Sequence, residues 1–225
     1  MKLSYLGHSC VLIETSSHKI LIDPFITGNP VAPLRPDQIE ADFVVVTHAH
    51  GDHWGNTLEF VERGATLVST VEVTGYAVRH GANASRMVGM NLGGSVQLPF
   101  GKLSWTPALH SSSFPDGSYG GVAAGVVLEL EGLRLYHAGD TALFSDMALI
   151  GRKGLDLALL PIGDFYTMGP DDALEALGFL KPKAVLPIHH GTFPGIVQDV
   201  SSFITRAEAR GVKGYPLEPG QTLEL

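Results

Sequence analysis

A single cysteine occurs in the 225 residues. Cys10 therefore cannot anchor an intramolecular disulfide framework, and such scarcity fits a reducing, cytoplasmic setting. Its position in the apolar run CVLI points to burial instead of a reactive thiol. No apolar stretch reaches the roughly 18 residues a membrane span needs, so a membrane-embedded chain is not expected. Basic residues are sparse as well: 15 Lys and Arg stand against 23 Asp and Glu, a formal net charge of −8. They form no cluster. Sequence-independent binding of nucleic acid rests on neutralising phosphates, so nucleic acid is not an expected partner, although a small phosphate substrate stays open. There is no G-x-S-x-G elbow, Ser111–Ser113 does not supply one, and Cys10 lies in a strand-like run; nucleophile-elbow and Cys–His hydrolases are excluded.

What is present is enough apolar material, 44% of the residues, to bury the core of one domain spanning 1–225. The opening MKLSYLGHSCVLIE carries one Lys and is interrupted by His8, Ser9 and Glu14, so it reads as a first strand and not as a signal peptide. CVLIET and KILIDPF are β-branched runs flanking a polar SSH, as in a hairpin. The proline-rich ITGNPVAPLRPDQIE is a surface loop. ADFVVVTH has the continuous apolar character of a strand buried on both faces. NTLEFVERGA has helical spacing with Gly64 as a stop, TLVST is a strand, EVTGYAVRHGA a helix and SRMVGM a strand.

The second half repeats this order. GVVLELEGLRLYHAGDT parallels CVLIETSSHKILIDPF, LDLALLPIGD parallels ADFVVVTHAH, and EALGFLKPKAVLPIHHGT parallels EFVERGATLVST. Asp140 follows Asp23 by 117 positions and Asp156 follows Asp42 by 114. Two related β/α halves of this kind pack sheet on sheet with helices outside, an α/β sandwich whose loops gather at one edge.

The chain has ten histidines, and THAHGDH places three of them, His48, His50 and His53, beside Asp52 directly after the strand FVVVT. His48 and His50 alternate like strand-end neighbours, whereas Asp52 and His53 are adjacent and diverge. Imidazole suits Zn, Fe or Ni, and a carboxylate adds Mn or Mg to that range. Further candidate ligands follow other apolar runs: His110 after TPAL, Asp140 after LYHAG, and His189 with His190 after AVLPI. Gly139 would let the backbone approach closely. His18 and His80 read as solvated, His137 as a buried strand residue, and His8 as a residue that could line the same edge.

These motifs together resemble the metallo-β-lactamase superfamily. The early LGHSCVLIE and ILIDPF and the late IHHGTFP resemble most its metal-dependent hydrolases similar to ascorbate-6-phosphate lactonase. The resemblance implies a four-layer αββα sandwich with a binuclear site. His48, His50 and His110 would hold one metal, Asp52, His53 and His189 the other, and Asp140 would bridge. Asp23 would support the histidine loop. Relatives often carry Tyr after the last histidine, where this chain has His190. Oxygen-reducing diiron members resemble H-x-E-x-D, so a histidine at position 50 favours hydrolysis.

Two divalent ions, Zn foremost and Mn second, would lower the pKa of a shared water and make hydroxide available near neutrality. Asp52 could orient that nucleophile or take its proton. His8, His190 or Tyr166 could stabilise developing charge or protonate a leaving group, and Arg35 could contact an anion. The expected function is hydrolysis of a small ester, lactone or amide. A small phosphodiester is the alternative substrate, and a non-catalytic metal-binding protein the alternative class. A small molecule is the expected partner, and a homo-oligomer is compatible with the sequence.

Overall fold

The computed structural model describes residues 1–225. The first half comprises β1 (Lys2–Tyr5), β2 (Val11–Glu14), β3 (Lys19–Ile22), β4 (Phe43–Val45), α1 (Gly51–Trp54), α2 (Thr57–Glu62), β5 (Thr66–Thr70), α3 (Val71–Arg79) and β6 (Met87–Met90). The second comprises β7 (Ser95–Leu98), β8 (Gly101–Pro107), β9 (Ala124–Leu130), β10 (Leu133–His137), α4 (Met147–Gly151), β11 (Leu155–Pro161), α5 (Pro170–Leu180), β12 (Pro182–Ile188), α6 (Val200–Glu208), β13 (Lys213–Gly214) and β14 (Thr222–Glu224). No helix is long and apolar enough to cross a membrane.

One sheet has the order β14-β1-β2-β3-β4-β5-β6 and the other β7-β8-β9-β10-β11-β12-β13. Read from β14 and from β7, each has three antiparallel pairings followed by three parallel ones. The two halves are therefore related in topology as the repeated sequence order implies. The aspartate correspondence is physical too. Asp42 Oδ2 accepts from the Lys19 N–H at 2.8 Å, and Asp156 Oδ2 accepts from the Arg134 N–H at 2.7 Å. Each carboxylate pins the start of the preceding strand to the strand that follows. One difference breaks the register of the halves: β14, at the far end of the chain, fills in the first sheet the place that β7 fills in the second.

Alternation along the strands sorts their side chains into layers. Ile20 and Ile22 point between the sheets, with Val45, Leu128, Leu135, Leu157 and Leu186. Leu21, Val44 and Val46 point outward beneath Phe60, Val73 and Ala77 of α2 and α3. On the other outer face Tyr136, Ala158 and Val185 lie beneath Ile150, Leu174, Leu177 and Phe203 of α4, α5 and α6. The result is a four-layer αββα sandwich. Cys10 is fully buried, as its apolar neighbours imply.

The edge where β3, β4, β10, β11 and β12 all end is sewn across the two sheets. The Ala124 N–H donates to the Thr47 carbonyl at 3.1 Å, and the His189 N–H donates to the His8 carbonyl at 2.8 Å. His137 adds a third link, with Nε2 at 2.9 Å from the Ser9 carbonyl and Nδ1 accepting from the Gly139 N–H at 3.1 Å. Both of its nitrogens are spent on backbone, so His137 is the structural residue the sequence suggests. These links hold the loops of one half against those of the other.

Candidate metal centre

The loop after β4 delivers its four candidate ligands by a change of backbone. His48 lies three residues beyond β4, His50 is the residue before α1, and Asp52 and His53 lie in that short helix. Neighbours on a helix are turned by about 100°, so Asp52 and His53 diverge. His110 follows β8, Asp140 follows β10, and His189 follows β12. Three non-glycine residues at this edge, His8, Asp23 and His189, have φ of 59°, 48° and 53°. Left-handed backbone is costly for such residues, and its concentration here turns strand ends sharply into one space. Gly139, at φ 60°, permits the approach of the Asp140 turn: a Cβ there would lie 2.8 Å from the Ala124 carbonyl oxygen.

The ring and carboxylate atoms collect into groups whose members lie within 4.8 Å of one another. His48, His50 and His110 form one; His8, Asp52, His53 and His189 form a second; His48, His53 and Asp140 form a third. Asp140 sits among them all. Its Oδ1 is 3.2 Å from His53 Nε2, and its Oδ2 is 3.0 Å from His189 Nε2, 3.5 Å from His110 Nε2 and 3.9 Å from His48 Nε2.

Asp23 accepts three hydrogen bonds: from the Thr47 N–H at 2.8 Å, from Thr47 Oγ1 at 2.8 Å and from His53 Nδ1 at 2.7 Å. That leaves His53 Nε2 facing Asp140, so the two aspartates that correspond between the halves meet opposite nitrogens of one imidazole. His8, fully buried, places Nε2 at 3.1 Å from Asp52 Oδ2 and Nδ1 at 2.9 Å from Thr192 Oγ1. With Asp52 ionised, His8 donates through Nε2 and accepts the Thr192 hydroxyl at Nδ1. Neither Thr47 nor Thr192 is singled out by sequence, since a threonine beside a histidine carries no ligand signal of its own.

Several features call for cations. Burial pushes the imidazoles of His48, His50 and His110 toward the neutral form, the state a metal ligand must have. Burial pushes His8 down to about 4. For Asp52, burial works upward as the largest single influence, but the His8 hydrogen bond and the nearby His53 and His8 imidazoles together outweigh it and hold the carboxyl below its ordinary range. Burial also disfavours a charged His53, yet the neighbouring Asp140 and Asp23 carboxylates outweigh it and raise that imidazole well above its usual value. Three carboxylates thus share a site in which their only cationic partners are imidazoles. His53 Nε2, Asp140 Oδ1 and His189 Nδ1 are buried without a hydrogen-bond partner. Orphaned buried polar atoms of this kind are costly unless something else satisfies them. The donor set, nitrogen-rich with carboxylates, suits Zn or another divalent first-row metal.

Two of the sequence candidates lie away from the cleft. His190 does not line the cleft. Its ring lies 6.3 Å from that of Tyr5, and burial pushes its imidazole down to about 4. Adjacent residues leaving a strand diverge, and His189 takes the side facing Asp140 while the half-buried His190 turns away toward Tyr5. Arg35 pairs with Asp37 at 3.1 Å and borders a separate depression, so it is no anion contact in the cleft. Replacing His189 with Ala is expected to lower bound metal, whereas His190→Ala should retain it and only lower the melting temperature. Elemental analysis of the two variants checks this, and metal loss confined to His190→Ala would reverse the assignment.

Residues 18–190 match the family model described as Beta-lactamase superfamily domain. The chain is 56% identical over 225 residues to the UPF0173 metal-dependent hydrolase of Thermus thermophilus, covering all of this chain and 99% of that protein. Among solved structures it is similar to Igni18, a metallo hydrolase from the archaeon Ignicoccus hospitalis, with 39% identity, a TM-score of 0.89 and coverage of 100% and 98%. A more distant likeness is to CmlA, a diiron β-hydroxylase from Streptomyces venezuelae, at 16% identity and TM-score 0.77, covering all of this chain and 54% of that one. The last shows the fold alone, and shows that this fold by itself does not choose between hydrolysis and oxygen chemistry.

Proposed function

Since the chain belongs to the β-lactamase superfamily and is a metal-dependent hydrolase, we propose that its cleft holds two divalent metal ions and hydrolyses a small ester, lactone or amide. The observation that carries the two-ion reading is the pair of ligand groups with one carboxylate between them. His48, His50 and His110 would hold one ion, Asp52, His53 and His189 the other, and Asp140 has an oxygen within reach of ligands on each side. Zn is the first choice for this donor set and Mn the second. Bound there, the ions would lower the pKa of a water toward neutrality and polarise the oxygen of the scissile group.

The protein's own groups manage the proton. In hydrolysis, the water oxygen forms a new bond to the acyl carbon, the bond to the leaving oxygen or nitrogen breaks, and the water's proton passes to the leaving group. Asp52 lines the cleft, so its carboxylate can orient the water and relay that proton to the leaving group. His8 holds the Asp52 carboxylate at 3.1 Å and is itself held by Thr192. Its buried, neutral imidazole suits it to positioning Asp52, in place of the direct catalytic part expected from sequence. Phosphodiester hydrolysis is the second reading, because the same pair of ions serves it.

Reconstitution of the metal-free protein is expected to saturate at two equivalents per chain by elemental analysis, with His53→Ala reducing the count. Saturation at one equivalent with His53 dispensable would end the two-ion reading.

A further inference from the structure

The cleft above the ligand groups has a volume of about 740 Å³. Apart from the candidate ligands, it is lined by Ser111, Tyr166, Phe193, Pro194 and Gly195. None of its lining residues is Lys or Arg. A phosphodiester keeps a negative charge at neutral pH, and sites that select phosphates commonly add Arg or Lys to their metals. This cleft offers no such partner, in a chain of net charge −8.

One wall is built in an unusual way. Between β11 and α5 the chain makes a tight turn closed at its base, with the Asp164 N–H donating to the Met168 carbonyl at 3.0 Å and the Thr167 N–H to the Asp164 carbonyl at 2.7 Å. The Met168 N–H then donates to the Thr141 carbonyl at 2.9 Å, tying the turn to the residue after Asp140. Asp164 and Phe165 have φ of 62° and 24°, two successive non-glycine residues in left-handed backbone. At the tip Phe165 and Tyr166 are 75% and 59% exposed, with their rings edge to face at 4.7 Å. A strained turn anchored beside the site thus places Tyr166 in the lining of the cleft, which Phe193 and Pro194 also line, with the exposed Phe165 ring packed beside it.

We propose that the substrate is an uncharged acyl compound, an ester, thioester or lactone, whose alkyl or aryl group lies between Tyr166 and Phe193–Pro194. Tyr166, buttressed by Phe165, is the specificity-determining residue. The proposal rests on the hydrolase reading of this same site and names its substrate class. Water adds to the acyl carbon, the alcohol or thiol leaves with a proton, and a carboxylic acid remains; a lactone gives the hydroxy acid.

The test uses the full chain loaded with zinc. p-Nitrophenyl esters from acetate to octanoate are compared with bis(p-nitrophenyl) phosphate, and the carboxylates acetate to octanoate are titrated by calorimetry. In the second series the head group stays constant, only the tail varies, and no turnover is needed. Affinity for the carboxylates should climb roughly three- to fourfold per methylene until the cleft is filled, the worth of burying one such group. KM for the esters should fall in parallel with little change in kcat. Tyr166→Ala should flatten both series while Tyr166→Phe keeps them, which assigns the effect to the ring and not the hydroxyl.

Flat series in the unaltered protein, a preference for the phosphodiester, or full slopes in Tyr166→Ala would each overturn the proposal. So would conversion of an oligomer to monomers by Phe165→Ala and Tyr166→Ala with the slopes intact, which would make the pair a subunit contact. A carboxylate slope without hydrolysis of any substrate would support the apolar site and remove the hydrolase reading. Ester hydrolysis with flat series would do the reverse.

Discussion

Asp140→Asn is expected to abolish hydrolysis and leave the sandwich folded. The Asp140 carboxylate meets four imidazoles, at distances from 3.0 Å to 3.9 Å. It is buried, with Oδ1 unpartnered by any hydrogen bond. Asn has the same shape, but it brings no charge and only one oxygen, and its NH₂ cannot ligate a metal. The change removes negative charge where two cations would sit and leaves one group of ligands without its shared oxygen. Loss of one such electrostatic element lowers turnover by roughly 10²–10³ or more. A turn-capping role would predict the opposite, since Asn caps as well as Asp. The three measurements are turnover on any substrate found, metal content, and melting in excess metal. Near-normal turnover would take Asp140 out of the centre and the two-ion mechanism with it.

Gly55→Ala is expected to be strongly destabilising for a single added methyl. Gly55 ends α1 with φ 39° and ψ −123°, a combination that side-chain-bearing residues avoid. A Cβ there would overlap the Pro24 carbonyl group, which is backbone and has little freedom to move. The Pro24 carbonyl also accepts the Asn56 N–H at 2.9 Å. The DPF turn and the histidine helix are therefore pressed together at this point. Separating them would pull Asp23 from His53 and Thr47, leaving buried donors unpaired at about 1–3 kcal/mol each. With the backbone strain added, a destabilisation on the order of 4 kcal/mol is expected, beyond the usual range for one substitution. Denaturant unfolding of the metal-free protein measures it directly. A loss below about 1 kcal/mol would mean that the turn moves aside freely and that Asp23 does not depend on this seating.

Much of the fold is local information. The buried strand FVVVT, the helices over 57–62 and 71–79 and the repeated strand–turn–strand–Asp order can be read from periodicity and turn residues, since neighbours in sequence determine them. The clustering of His48, His50, Asp52 and His53 is equally local, and so is the alternation that separates His189 from His190. What escapes such a reading depends on which strand ends share an edge. His8 and Asp52 are 44 positions apart, and His8 and Thr192 are 184 apart. Nothing in either segment announces those pairings. β14 is legible as neither strand nor partner until β1 offers it an unpaired edge, with Leu3 opposite Leu223.

By itself the sequence determined the candidate ligand types, their order and the two-half plan, because residue chemistry and short-range spacing do not depend on the rest of the chain. Only the tertiary structure decided that Asp23 and Asp140 face opposite nitrogens of His53, that His190 lies beside Tyr5 and away from the cleft, and that no Lys or Arg lines the cleft. Those outcomes follow from sheet order and from three hydrogen bonds sewing one sheet edge to the other. Contacts between such distant positions exist only once both sheets have closed on a common core.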